Sequence, residues 1–323
     1  MTDLENPTLD LVAAALAGDE AVELSAYAYA TSAPLHLLRH PKIVGATPVL
    51  RKDLSPGAGL AAVVGTRPEF LVDPFREITV YRHVLPDWLG SPVFFGALVD
   101  PDGDRYWLFV EQVGGVELWQ IGELDVWSSV ARWLGSMHAA RLHVTAPRSV
   151  RDRLVSYDRE YYRRWPERAR AFAPSPAARR GLDRVLRRHD ELVDRLLSLP
   201  QTFIHGELYP SNVLVAHGGD APTRVATIDW ETAAVGPPLV DLAALTEGWD
   251  EPQRMTLVES YRSAAAAAGV SGDAGALTDA ALDACRLHLC LRWLGWAQGW
   301  SPPREHERDW LALALRLTEQ VGL

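Results

Sequence analysis

The chain reads as an α+β protein in two lobes, a small one built mostly of antiparallel strands and a larger, mostly helical one. Three observations predict this. Short apolar stretches with period-two alternation, separated by turn residues, fill the first 112 residues. From about residue 126 the apolar residues recur at helical spacing. Between these regions Val113-Gly114-Gly115 breaks both patterns. The expected division is therefore 1–112 and 113–323, with a hinge near 111–115. At 323 residues the chain is long enough to bury a core in such a unit.

In chain order, Thr8 is expected to cap a helix to about Ala17, stopped by Gly18. Strands are expected at 22–30, 35–39 and 47–54, the first two joined by a turn at Thr31-Ser32-Ala33-Pro34. Residues 55–69 hold several Pro and Gly and read as a loop. Asp73-Pro74 starts a helix to about Leu85, because proline suits the first helical turn. Residues 93–99 and 105–112 form a hairpin around Asp100-Pro101-Asp102-Gly103-Asp104.

Beyond the hinge, Asp125 caps a helix over 126–140, with Val126, Val130, Trp133, Leu134 and Met137 at helical spacing. One helix is expected over 181–199, its arginines forming a solvated face. Short strands follow at 201–204, 213–216 and 224–228, with a turn at His217-Gly218-Gly219-Asp220. Helices at 238–248, 251–268, 277–300 and 305–320 complete the chain.

Composition narrows the partners. A formal net charge of −10 disfavours nucleic acid, whose phosphates want a basic surface. Arginine outnumbers lysine 30 to 2, which reads as coding bias in a GC-rich genome. Cys285 and Cys290 stand five apart in an expected helix and read as small buried apolar residues, with neither a disulfide nor a zinc site. The acidic N-terminus lacks the basic start and apolar core of a signal peptide, and no apolar run is long enough to span a bilayer. A cytoplasmic protein with no membrane and no protein partner is the expectation.

The segment Phe203-Ile204-His205-Gly206-Glu207-Leu208-Tyr209-Pro210-Ser211-Asn212-Val213-Leu214-Val215 carries the chemistry. An acid, Glu207, stands five residues before Asn212, and Ile228-Asp229-Trp230-Glu231 follows. Kinase catalytic loops use an acid and an asparagine at this spacing, and a later aspartate holds a magnesium ion. The acid receives the proton of an incoming hydroxyl. Asn212 and Asp229 supply the hard oxygen ligands that magnesium prefers. All three groups must meet at one phosphoryl group.

With these residues the chain resembles the aminoglycoside phosphotransferase and choline kinase superfamily, the small-molecule branch of the protein-kinase-like fold. That family's loop reads His-Gly-Asp-x-x-x-x-Asn, followed by Ile-Asp-Trp or Ile-Asp-Phe. The match covers His205, Gly206, Asn212, Ile228, Asp229 and Trp230. It departs at Glu207, where the family has Asp. The resemblance implies ATP, with GTP possible, and Mg²⁺, and a small-molecule acceptor. It gives Glu207 the role of catalytic base, makes Asp241 a buttress of the catalytic loop, and leaves His205 as a structural brace.

The N-terminal lobe adds nucleotide-side candidates. In Val49-Leu50-Arg51-Lys52 the period of two puts Leu50 and Lys52 on one face and Arg51 on the other. An apolar residue against the adenine and an ammonium facing the phosphates would follow. Lys42, after a proline, is the rival. As a strand-face ammonium in a cleft, Lys52 is expected to matter for nucleotide binding and not for the fold. Glu77, in the helix after Asp73-Pro74, is the expected carboxylate partner of that lysine. Thr31 and Ser32, in a hairpin without glycine, offer hydroxyls and amides to the phosphates. Glu111 and Val113 belong to the segment linking the lobes, whose backbone would meet the adenine edge.

The acceptor side is thinner. Tyr157, Tyr161, His288, Trp293 and Trp296 are the expected pocket walls, since stacked aromatics suit a sugar ring or another flat compound. Glu247, Asp250 and Glu251 are the acids available to a cationic acceptor. The glutamate at 207 adds one methylene, a reach longer by about 1.5 Å, which a backbone shift is expected to absorb. Two readings remain open: an active kinase, or a nucleotide-binding relative that has lost turnover.

Overall fold

The computed structural model describes residues 6–27, 33–59, 67–218, 221–269, 278–299 and 304–323. Helix α1 (Pro7–Ala17) comes first, then strands β1 (Glu23–Ala26), β2 (Leu35–Arg39) and β3 (Val49–Asp53), helix α2 (Pro74–His83), and the hairpin β4 (Phe94–Asp100) and β5 (Arg105–Glu111). These five strands make an antiparallel sheet in the order β1-β2-β3-β5-β4. Asn6, not Thr8, caps α1: its side-chain oxygen accepts from the amides of Thr8 and Leu9. The Thr8 hydroxyl instead accepts from the Thr47 amide at 2.9 Å.

The two faces of this sheet are dressed differently. On the outer face Leu11 and Val12 of α1 cluster with Leu38, Val49 and Phe109. On the inner face Leu50, Leu108 and Val110 join Ile78, Val80 and Tyr81 of α2 in the main core. That core runs on to Leu317 and Val321 at the far end of the chain, so sheet and helices share one interior.

After the link come β6 (Val116–Glu117), α3 (Leu124–Ala139), two one-turn helices, α4 (Leu142–Thr145) and α5 (Arg148–Arg151), then β7 (Val155–Ser156) and α6 (Arg159–Ala171). They are followed by α7 (Pro176–Val185), α8 (His189–Ser198), β8 (Thr202–Ile204), β9 (Val213–Gly218), β10 (Ala221–Thr227) and β11 (Ala234–Gly236). Helices α9 (Leu239–Thr246), α10 (Glu251–Ala267), α11 (Asp279–Leu294) and α12 (Trp310–Gln320) close the chain. Two three-stranded sheets, β10-β9-β6 and β7-β11-β8, carry the loops of interest. Arg224 of β10 ties the β10-β9-β6 sheet to the first one: its guanidinium grips both oxygens of Glu111 at 2.7 Å and the carbonyls of Gly90 and Ser91.

Several expectations are corrected. The helix over 181–199 is two helices with a 3₁₀ turn at Leu186–Arg188 between them. Helix α3 starts at Leu124 after Glu123, with Asp125 inside its first turn. The helix expected to reach 300 ends at Leu294 with Gly295 behind it. Helix α6 was not expected, because Pro166 and a row of arginines mask its apolar side; Asp158 caps it at the Tyr161 amide. No helix of the described residues is long and apolar enough to cross a membrane.

Candidate active site

Three elements bring three charges together. Lys52 leaves β3 on the inner face, where Leu50 also points, while Val49 packs under α1. Its Nζ lies 2.7 Å from Glu77 Oε2 of α2 and 2.5 Å from Asp229 Oδ1, in the loop after β10. Asp229 takes a left-handed backbone, φ +65°, uncommon for a residue with a side chain. Such strain costs on the order of 1–3 kcal/mol and is held only where the surroundings over-determine it. Here the Ile228 amide donates to the Asn212 carbonyl at 3.0 Å, tying the two loops together.

Glu231, two residues on, completes the cluster. One ligand oxygen from each of Glu77, Asp229 and Glu231 lies within 4.8 Å of the others. The Arg67 guanidinium pairs with Glu231. Buried Arg76 holds the Glu231 carbonyl at 2.6 Å, together with the carbonyls of Leu71 and Arg153.

The electrostatics follow from this crowding. Burial alone would depress the Lys52 ammonium; Asp229 and Glu77 outweigh it and hold its pKa above the ordinary lysine value. Burial would raise Asp229, but Lys52 wins and keeps it below the ordinary carboxylate range. Glu231 goes the other way, pushed up to about 8 by burial and by the Asp229 charge. Hard oxygen donors this close are the kind of ligand set that suits magnesium. The Asn212 Nδ2 donates to the Glu207 carbonyl at 2.9 Å, which leaves its amide oxygen as a further donor atom.

The loop from His205 to Asn212 is held from below. Asp241 of α9, fully buried, accepts the His205 amide at 2.7 Å and the Gly206 amide at 2.9 Å. His138 of α3 lies 3.2 Å from the same carboxylate. His205 donates through Nε2 to the Ile228 carbonyl at 2.9 Å and accepts the Glu207 amide at Nδ1. Burial lowers the pKa of its imidazole. Gly206 sits at φ +84° against Thr232, where a side chain would collide with the Thr232 carbonyl.

Glu207 meets a residue that sequence reading passed over. Arg292 of α11, 1% exposed, donates from Nη2 to Glu207 Oε1 at 2.7 Å. Its Nη1 donates to the Gly206 carbonyl at 2.5 Å and to the Tyr157 hydroxyl at 3.1 Å. Burial raises the pKa of the Glu207 carboxyl, and Arg292 and Arg67 offset only part of that rise.

The structure thus brings Lys52, Glu77 and Asp229 together, and links Asn212 to Glu207. Leu50 is on the Lys52 face. Glu111 sits at the end of β5 with its carboxylate committed to Arg224. Val113 is buried beside it. Thr31 and Ser32 lie outside the described residues.

The acceptor-side residues are placed differently from expectation. Tyr157, Tyr161 and His288 are buried under Glu207 and Arg292, packed against one another. They are interior packing, not open walls. Trp293 and Trp296 are half-buried; Trp293 stacks on Trp310 and Trp296 on Trp165. Two of the three acids expected to meet a cation are already paired, Glu247 with Arg286 and Arg308, and Glu251 with Arg254, while Asp250 caps α10 by accepting the Gln253 amide. All three help line a cavity of about 440 Å³ that also includes Trp249 and Asp309 and none of the residues of the Lys52 cluster.

Residues 76–316 match the model of the phosphotransferase enzyme family. The chain belongs to that family. Solved structures agree on the fold. The choline kinase LicA from Streptococcus pneumoniae is similar at a TM-score of 0.61 and 13% identity, covering 97% of this chain and 98% of that one. A microcompartment-associated aminopropanol kinase is similar at 0.58 and 16%, covering 97% and 95%. A thermostable mutant of aminoglycoside phosphotransferase APH(4)-Ia, solved with ADP and hygromycin B, is similar at 0.57 and 15%, covering 93% of both chains. The fold of this phosphotransferase-family chain is accordingly the two-lobed, kinase-like one. The sequence matches no curated protein.

Proposed function

We propose that this phosphotransferase-family protein transfers the γ-phosphoryl group of ATP to a hydroxyl of a small molecule, with Glu207 as the base. The observation that carries the reading is the meeting of Lys52 and Asp229. They stand 177 residues apart in the chain and 2.5 Å apart in space, and the Asp229 loop is tied to the Glu207–Asn212 loop. A lysine steadied by a helix glutamate beside a metal-type aspartate is the arrangement phosphoryl transfer needs.

On this reading Lys52 contacts the nucleotide phosphates, and Leu50 and the backbone at 111–113 face the base, which GTP would also satisfy. Asp229 and Asn212 would hold magnesium, with Glu231 beside them. Bound there, the metal supplies charge neutralisation at the phosphates. Glu207 orients the acceptor and takes its hydroxyl proton. The acceptor oxygen bonds to the γ-phosphorus, the bond to the β-phosphate oxygen breaks, and nucleoside diphosphate leaves. The protein works in the cytoplasm on a small-molecule acceptor.

Similar structures are of proteins named for choline, aminopropanol and macrolides, and of one bound to hygromycin B. In this chain the arginine pairing of Glu247 and Glu251 speaks against a polycationic acceptor. The half-buried Trp293 and Trp296 suit a sugar ring or a flat natural product. Incubation with ATP or GTP, magnesium and a panel of sugars, aminosugars, amino alcohols and macrolides, read by mass spectrometry, should show one acceptor gaining a phosphoryl group. Nucleotide binding with no transfer to any of them would favour a non-catalytic binding protein instead.

A further inference from the structure

The glutamate at 207 is one methylene longer than the aspartate of the related loops, and the backbone has no room to absorb it. The amides of His205 and Gly206 are fixed by Asp241, and the Gly206 carbonyl by Arg292. Gly206 itself lies at φ +84° in contact with Thr232. The peptide is pinned from both sides, so the expected backbone shift is replaced by something else. What the extra length reaches is the buried guanidinium of Arg292, 2.7 Å from Glu207 Oε1.

We infer that Arg292 is a positioning residue that anchors Glu207 through Oε1, so that Oε2 is presented to the acceptor hydroxyl, and that the pair replaces the shorter aspartate of the related loops. The inference rests on the phosphotransferase reading above. Three observations support it beyond the contact itself.

First, Oε1 is taken by Arg292, whereas Oε2 has no hydrogen bond among the described residues, although the side chain is only 12% exposed. One oxygen is fixed and the other is open. Second, the guanidinium has no freedom to follow a different carboxylate. It is 1% exposed, bonded to Gly206 and Tyr157, and set over the Trp165 ring at 5.4 Å. Third, an arginine fork is planar and rigid, so it fixes direction as well as distance in a way that lysine cannot. An aspartate at 207 would fall short by about 1.5 Å and leave Arg292 buried beside a carboxylate it does not reach.

The test is a cycle on kcat with the full chain and the acceptor found above. Arg292→Met should lower kcat by about 10²-fold, the order expected for a misplaced reacting group, with nucleotide affinity within about twofold of wild type. In the Glu207→Gln background, Arg292→Met should cost nothing further, because no base remains to be positioned. Arg292→Lys should fall between, keeping the charge and losing the fork, and it carries the cycle if Arg292→Met does not fold. Equal losses from Arg292→Met with Glu207 and in the Glu207→Gln background would overturn the positioning role and leave a structural one. Thermal unfolding of the same four proteins reads the pairing without turnover. Absence of coupling there overturns the inference even in an active enzyme. Coupling in unfolding with no transfer by wild type to any acceptor sinks the transferase reading, and the positioning role with it, while the pair itself stands.

Discussion

Two charged centres sit side by side in this protein and are built in opposite ways. The Lys52 centre is assembled from distant parts: a strand of the first sheet, a helix packed under it and a loop behind β10. Its members meet through side chains alone. The Glu207 centre is assembled from the peptide itself, with amides and a carbonyl held by Asp241 and Arg292 from two helices of the C-terminal region. The first depends on the docking of the two lobes. The second is fixed before any ligand arrives. Changes at Lys52 should therefore appear in nucleotide binding, and changes at Glu207 in the transfer rate with nucleotide affinity spared.

The largest expected effect tests the second half of that contrast. Glu207→Gln keeps the length and a hydrogen bond to Arg292 but cannot accept a proton. Transfer should fall by about 10²–10⁴, the usual contribution of a general base. Nucleotide affinity, by equilibrium titration, should stay near wild type. A matching loss of affinity would mean that the two centres are one.

Lys52→Ala tests the first half and corrects an expectation. From the sequence Lys52 is a cleft residue of no consequence to the fold. In the structure it is 8% exposed and pairs with the buried carboxylate of Glu77 and the half-buried one of Asp229. Removing one partner of a buried ion pair costs about 3–5 kcal/mol. Lys52→Ala should lower the unfolding temperature as well as nucleotide affinity, and magnesium with nucleotide should restore part of the stability by replacing the lost charge. A variant as stable as wild type would show that Glu77 and Asp229 find another partner.

Much of both centres was legible in the sequence because motif and spacing act over short stretches. Glu207, Asn212 and Asp229 lie on tight loops whose order along the chain fixes their neighbourhood. Lys52 betrayed itself as one of 2 lysines among 30 arginines. Asp73-Pro74 marked the helix that carries Glu77, with Asp73 accepting the Phe75 amide as its cap.

Arg292 was not legible, since partners 85 residues apart leave no periodic trace. One signal was available: an arginine within His288-Leu289-Cys290-Leu291-Arg292-Trp293-Leu294, an apolar run with no solvated face. A cation in such a run needs a buried anion. Glu231 stood two residues after Asp229 in the motif, yet only the fold shows its carboxylate close to those of Glu77 and Asp229. Tyr157 and Tyr161 were misplaced because an aromatic residue looks the same in sequence whether it lines a pocket or fills a core.

A smaller effect probes the rigidity claimed for the Glu207 loop. Gly206→Ala puts a methyl group against the Thr232 carbonyl at a left-handed φ. The conformation alone costs on the order of 1–3 kcal/mol. Stability should fall by at least that much in denaturant titrations, and the transfer rate should fall with it as the loop shifts. A Gly206→Ala variant with unchanged stability would show that the loop yields, and the contrast with the Lys52 centre would lose its basis.

The smallest expected effect lies at the rim, where His306 rests against Tyr209 and Trp293 with ring centroids 4.9 and 5.3 Å away. Its Nε2 is 3.5 Å from the Ser211 hydroxyl, so it touches the loop between Glu207 and Asn212 from outside. Burial, aided by the Arg308 charge, lowers its pKa to about 4. The unfolded chain binds its proton near 6.5, so between roughly pH 6.5 and 4 the unfolded state holds more protons than the folded one. Stability therefore rises with pH across that window and is lost as the solution is acidified through it. Discounted for solvent screening, the effect should be about 1–2 kcal/mol. Comparing the wild type and His306→Asn by thermal unfolding at pH 7.5 and pH 5 isolates it, because every other titrating group is common to both. The variant should lose less stability on acidification. Equal losses would mean that His306 keeps an ordinary pKa and that the rim of the loop is open to water.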